Sequence, residues 1–177
     1  MKKLSLLILI IIIGSNLLKA QAPIFHKYPI AETGYAVYFP KNPGNFEVTY
    51  SKDSLLMYLG NVEFDNIGYD MILTLLNDTY ANTSKEELEK LLVTNLDFLK
   101  GIYNVSDTTG YVRGQKIKTY PNVTGILDSW KDKYGSDIII KGWVNNKVLV
   151  VLVVSGKPLP PYDFQTLFLN RFVFGKK

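Results

Sequence analysis

The chain has 177 residues, of which 47% are hydrophobic, 13% aromatic and 20% charged, and it contains no cysteine. That apolar content excludes a disordered or low-complexity chain, and the lack of cysteine excludes disulfides, thiolate metal sites and a thiol nucleophile. The formal charge of +4 reflects 20 Lys and Arg against 16 Asp and Glu, but Lys2, Lys3 and Lys19 lie in the first 20 residues, which hold no acid, leaving 17 against 16 in residues 21–177. Such a body lacks the positive excess that displaces counterions from nucleic acid, which argues against that class of partner.

The chain opens with a basic Met1-Lys2-Lys3, an apolar run from Leu4 to Ile13 broken only by Ser5, and then Gly14-Ser15-Asn16 before Leu17 to Pro23. This three-part pattern predicts a secretory signal peptide over residues 1–20. Ala20-Gln21-Ala22 also fits a small-x-small cleavage site, but cutting there leaves Pro23 first, so cleavage after Ala20 is preferred. Leu4 to Leu18 is 15 residues, short of the ~20 that span a bilayer, and without a cysteine there is no lipoprotein anchor. The expectation is an exported protein, periplasmic or extracellular, with no transmembrane anchor after cleavage. No Gly/Ser linker, charge block or repeat divides residues 21–177, which predicts a single domain.

Gln21 to Tyr28 reads as a leader holding His26. Strands are predicted at Tyr35–Phe39, closed by Pro40-Lys41-Asn42-Pro43-Gly44, at Phe46–Ser51, and at Leu55–Phe64 and Tyr69–Leu76, the last two joined around Asp65-Asn66-Ile67-Gly68. Ser84-Lys85-Glu86-Glu87 fits a capping box, and Leu88, Leu91, Leu92, Leu96 and Leu99 follow at helical spacing, with Asn95 in the stripe and Gly101 as the expected stop. Further strands are expected at Tyr103–Ser106, Tyr111–Tyr120, Val123–Lys133, Asp137–Val144 and Lys147–Val154, with Asn145-Asn146 as a two-residue turn. Val148 to Val154 is apolar at both parities, so that strand needs cover on both faces. Pro158-Leu159-Pro160-Pro161 opens a short helix with Phe164, Leu167 and Phe168 inward, and Arg171–Phe174 reads as a terminal strand. The order predicts an α+β fold, a three-layer α/β/α sandwich on a mainly antiparallel sheet.

Several segments together resemble the PsbP-like family, in particular its small exported bacterial members. They are Tyr35-Ala36-Val37-Tyr38-Phe39-Pro40, Gly68-Tyr69-Asp70, the Ser84–Gly101 helix, Lys141-Gly142-Trp143-Val144-Asn145-Asn146-Lys147 with its valine strand, and Phe168-Leu169-Asn170-Arg171-Phe172-Val173-Phe174. The resemblance implies a PsbP-like architecture and a mostly non-enzymatic role. Members assist photosystem assembly, bind a small GTPase or reside in bacterial envelopes. The family has no shared catalytic motif, so no site residue is carried over.

Candidate chemistry is sparse. The lone His26, in the leader, reads as a surface histidine without function. Asp128, Asp132 and Asp137 form the one carboxylate cluster. On a strand Asp128 and Asp132 lie about 13 Å apart, too far to share a metal ion, and the plainer reading is solvated hairpin ends. Gly110-Tyr111-Val112-Arg113-Gly114 lacks dinucleotide spacing, and Lys116, Lys118, Lys131 and Lys133 read as a wet sheet face. Asn-x-Ser/Thr at Asn77, Asn82, Asn104 and Asn122 is read as chance. Tyr120, Trp130, Tyr134, Trp143 and Tyr162 supply aromatic area, and Pro160, Pro161, Tyr162, Trp130 and Tyr134 are the candidate contact surface. The expected function is an exported, non-enzymatic binding or accessory module, without cofactor or metal, acting through contacts with another envelope protein. The alternative is a small exported hydrolase using carboxylates such as Asp128 or Asp137.

Overall fold

The computed structural model describes residues 23–175, so the signal expected in residues 1–20 and the start at Gln21 lie outside the described residues. Ten strands run in the order β1 (His26–Pro29), β2 (Ala36–Phe39), β3 (Glu47–Tyr50), β4 (Leu56–Phe64), β5 (Ile67–Leu75), β6 (Val105–Thr108), β7 (Val112–Ile117), β8 (Tyr120–Asp132), β9 (Asp137–Val144) and β10 (Val148–Gly156). Helix α1 (Lys85–Ile102) follows β5, and α2 (Tyr162–Leu169) follows β10. Eight strands form one antiparallel sheet in the order β3-β4-β5-β10-β9-β8-β6, with β7 also paired to β8, while β1 and β2 form a separate ribbon.

Turn chemistry sets the hairpins. Phe64 opposes Ile67, so Asp65-Asn66 is a two-residue loop, and both residues have positive φ (51° and 61°), the twist that matches flanking strands. The β9–β10 turn comes one residue later than the sequence predicts. The Asn145 N–H donates to the Val148 carbonyl, so Asn146 and Lys147 form the loop, and neither has positive φ. The Asn145 side chain holds the turn instead, its Oδ1 accepting from the Lys147 and Val148 amides. Asn146 Nδ2 then donates to the Tyr80 and Thr83 carbonyls, which fixes the chain just ahead of α1.

Helix α1 starts at the predicted capping box: Ser84 Oγ accepts from the Glu87 amide and Glu87 Oε2 from the Ser84 amide. It does not stop at Gly101. The helix runs to Ile102, and Asn104, with φ of 50°, makes the left-handed residue that ends it. Leu88, Leu92, Leu96 and Leu99 are buried against the sheet. Gly142 lets the helix come this close, because a Cβ there would collide with Leu92.

The valine strand lies at the centre of the fold. Val148, Val150, Leu152 and Val154 enter one core with Phe39, Met71 and Phe168, while Leu149, Val151 and Val153 enter a second with α1, Ile126 and Ile140. Both faces are covered, but not by two helical layers. Strand accounts for 46% of the described residues and helix for 19%, so the protein is β-rich and the expected α/β/α sandwich is corrected. The face opposite α1 is covered by the β1–β2 ribbon, the eight-residue α2 and the segment through Phe174. That last segment, expected as a strand, makes one bridge, Ala36 with Val173. Aromatic rings supply the area a helical layer would bring: Phe39–Phe168 and Tyr69–Phe168 centroids are 5.3 Å apart, and Phe172–Phe174 5.0 Å. Of the leader, His26 to Tyr28 belong to this layer: His26 opposes Phe39 in the ribbon, with its side chain exposed.

Val150 and Val151 are buried on opposite faces. Val150→Asp and Val151→Asp are each expected to cost several kcal/mol, since either puts an unpaired charge in a core. Thermal unfolding of the two single variants checks this, and a parent-like melt for either one contradicts cover on that face.

Candidate functional site

Helix α1 packs on the β6, β8 and β9 side of the sheet, and among the described residues no helix packs over β3 and β4 on the same face. Register fixes what that open area presents. Met57, Leu59 and Asn61 of β4 oppose Thr74, Ile72 and Asp70 of β5, so these side chains share the α1 face. The helix contributes a second stripe beside its buried leucines, Leu91-Asn95-Phe98-Ile102, spaced by three and four residues. Floor, helix and the Tyr50–Asp53 loop enclose a groove of about 790 Å³. Its rim is apolar and wet: Tyr50, Phe98 and Ile102 are 67%, 60% and 58% exposed. Lys52 Nζ lies 5.9 Å from the Phe98 ring centroid, bridging loop and helix.

One carboxylate, Asp70, stands at the Asn61 end of the strand floor. Tyr103, placed by the Asn104 turn, donates its hydroxyl to Asp70 Oδ2 at 2.8 Å. Burial raises the Asp70 carboxyl above the usual carboxylate range, against the opposing effect of the Tyr103 hydrogen bond. Burial, and then the charge of Asp70, raises the Tyr103 hydroxyl far above the ordinary phenol value. No cation among the described residues forms an ion pair with Asp70, and its Oδ1 accepts no hydrogen bond from them. Asp70 and Tyr103 also line a polar cleft of about 800 Å³ shared with Asn61, Glu63, Ser155 and Lys157. Asp70 therefore stands where an apolar groove meets a polar cleft.

The aspartates singled out from sequence do not assemble. Asp128 is buried and saturated, accepting from Thr108 Oγ1 (2.8 Å), Thr109 Oγ1 (3.2 Å), the Ser129 amide (2.8 Å) and Trp130 Nε1 (2.7 Å). Asp132 accepts from the Tyr134 and Ser136 amides, and these backbone bonds, Ser136 first, hold it below the usual range. Asp137 pairs with Lys131 Nζ at 2.6 Å. Each is committed to its own stretch of β8 or the turn that follows. No three His, Asp or Glu among the described residues are grouped to hold a metal ion.

The proposed contact residues divide. Trp130 is buried against α1 with Tyr103 and cannot serve on a surface. Trp143 is buried too, its Nε1 bonded to the Leu169 carbonyl, and the half-buried Tyr120 donates to the Phe174 carbonyl. Tyr134 and Tyr162 are 70% and 75% exposed, Pro161 is exposed and Pro160 half-buried. Gly156 opposes Asp137, so the Tyr134 turn and the loop leading to Pro160 leave the sheet at the same end.

Two ionisable residues went unnoticed as site candidates. Asp70 reads in sequence as one polar member of a partly apolar face. The available signal is a carboxylate beside the doubly buried strand, where it opposes Val153. Lys141 is buried on the opposite face, its Nζ 2.7 Å from Asn170 Oδ1 and 4.5 Å from the Trp143 ring centroid, and burial lowers it to about 8.

Both groups make stability depend on pH. Asp70 binds its proton more tightly folded than unfolded, so it contributes less stability as pH rises from the ordinary carboxylate range through its raised value. Asp70→Asn is therefore expected to be at least as stable as the parent at pH 7, with that advantage vanishing on acidification, as read by urea melts at both pH values. Lys141 holds its proton less tightly folded than unfolded, so stability grows as pH rises from about 8 towards 10.5. Lys141→Met is expected to flatten that rise relative to the parent, and an unchanged difference between the two across pH 8–10.5 contradicts it. Comparison with protein-family models and with curated proteins gives no match for this chain, so the functional reading rests on the geometry of the groove.

Proposed function

We propose that the protein is an exported, non-enzymatic binding module whose site is the groove between α1 and the β4–β5 floor. The observation that carries this reading is the second apolar stripe of α1. Phe98 and Ile102 face an apolar strand floor yet stay more than half exposed, a cost that a monomeric surface helix normally avoids. The groove has the size of small-molecule sites, which run to ~300–1,000 Å³, and it combines apolar lining with a few polar groups at one end. Export is supported by the three-part pattern of residues 1–20. The resemblance to the PsbP-like family, whose members are mostly non-enzymatic, points the same way. A hydrolytic role has less support, because both oxygens of Asp128 are already engaged by donors and Asp137 is paired with Lys131.

A second reading, contact with an envelope protein, is favoured by one observation: Tyr134 and Tyr162 stand exposed at the same end of the sheet. The two readings use different surfaces. Nile red, a neutral apolar probe, is expected to bind saturably to the protein with a fluorescence rise. Phe98→Ala with Ile102→Ala should weaken it about tenfold through lost apolar contact, with little change in melting because both residues are exposed. Tyr134→Ala with Tyr162→Ala should leave Nile red binding unchanged. Non-saturable binding, or binding indifferent to Phe98 and Ile102, removes the groove as the site.

A further inference from the structure

The groove and the cleft differ in polarity but share one charged group, and their charge is lopsided. Glu47, Asp53 and Asp70 line the groove with Lys52, and Glu63, Asp70 and Asp132 line the cleft with Lys157. Five carboxylates against two lysines is a local negative excess on a body that carries 17 basic and 16 acidic residues. The outer acids are solvated and contribute mainly long-range attraction, which salt screens. Asp70 differs, since it is half-buried, its Oδ2 is held by Tyr103 and its Oδ1, with no donor among the described residues, remains open to solvent or to a ligand. A carboxylate so placed gains most from a group that brings both charge and hydrogen-bond donors, because each such bond is about twice as strong as a neutral one.

We propose that the groove binds a small amphiphile whose apolar body lies over Leu59, Ile72 and Phe98 and whose protonated amine donates to Asp70 Oδ1. The Tyr103 hydroxyl keeps the carboxylate oriented by occupying its other oxygen. Three features of the site set the ligand class. The floor and helix select an alkyl or aryl body, the position of Asp70 at one end of the groove selects a terminal head group, and the unpaired charge selects a cation over an anion. A carboxylate or phosphate head would meet the half-buried Asp70 as a like charge, at a penalty. A neutral alcohol would keep the hydrogen bond and lose the charge. The lysines do not reverse this preference, since Lys52 sits over the Phe98 ring at the rim and Lys157 is exposed in the cleft.

This inference rests on the groove being the binding site, and the test separates the two. Octylamine, octanol and octanoate share one chain length and differ in head group. Their binding to protein expressed from the full chain is measured by calorimetry at pH 7 and low salt. Octylamine is expected to bind about tenfold more tightly than octanol, and octanoate not measurably. Asp70→Asn keeps an acceptor for Tyr103 and should erase the tenfold preference for octylamine over octanol. Phe98→Ser, at an exposed position, should weaken octylamine and octanol alike. Equal binding of amine and alcohol, or octylamine binding indifferent to Asp70→Asn, overturns the amine assignment while the groove reading stands. Failure of all three probes to bind, with Nile red also unbound, overturns both.

Discussion

A strand that is apolar on both faces cannot be left with either face wet, and this one requirement organises the molecule. Seven consecutive buried residues of β10 need partners above and below. Each buried aliphatic side chain adds about 1.5–3 kcal/mol relative to exposure, so the strand and its two neighbours dominate the apolar gain of folding. The two covers are built from different material. One is a long helix of leucines held close to the sheet by the missing side chain of Gly142. The other is a layer of aromatic rings carried on a ribbon, a two-turn helix and a terminal segment. A helix is narrower than an eight-stranded sheet, so one helix cannot reach both edges. The uncovered β3–β4 area beside α1 follows from that mismatch of widths, and it is where the groove lies.

Much of the fold was legible because it depends on local chemistry. The Ser84–Glu87 box, a hairpin turn around Asp65 to Gly68, which the structure narrows to Asp65-Asn66, and the doubly apolar strand each declare themselves within a few residues. The misreadings come from tertiary choices. Gly101 is the obvious terminator of α1, yet the helix continues to Ile102 and the left-handed residue is Asn104, which leaves Tyr103 in reach of Asp70 on a strand 33 residues earlier. Nor does a short, aromatic, proline-bearing segment declare whether it will form a helical layer or a ribbon. The pairing of His26–Pro29 with Ala36–Phe39 requires knowledge of which face needs covering.

The site was less legible than the fold. Sequence drew attention to Asp128, Asp132 and Asp137 because they are close in the chain, but donors from β6, β8 and the following turn satisfy each of them. Proximity along a strand says little about shared chemistry when side chains alternate in direction. Asp70 was hidden by the opposite effect, since its partner Tyr103 and the stripe of Phe98 and Ile102 belong to another element. Part of the stripe was readable: Phe98 and Ile102 fall off the line of leucines, which implies a second surface to cover, whereas Leu91 reads as part of that line.

Burial of an ionisable group does not by itself mark a site, and the two cases here show why. Lys141 and Asp70 sit on opposite faces of the same sheet, each shifted towards its neutral form by withdrawal from water. Lys141 points into a closed core, donates to Asn170 at the end of α2 and lies against the Trp143 ring. Those contacts tie β9 to α2, so its burial is accounted for by packing. Asp70 opens onto two depressions, and only one of its oxygens is engaged. A carboxylate of that kind weakens the fold at neutral pH, and nothing in the packing of the sheet requires it, since an amide would hold Tyr103 equally well. A charge that the fold does not need, set at one end of a groove, is best explained by what the groove binds.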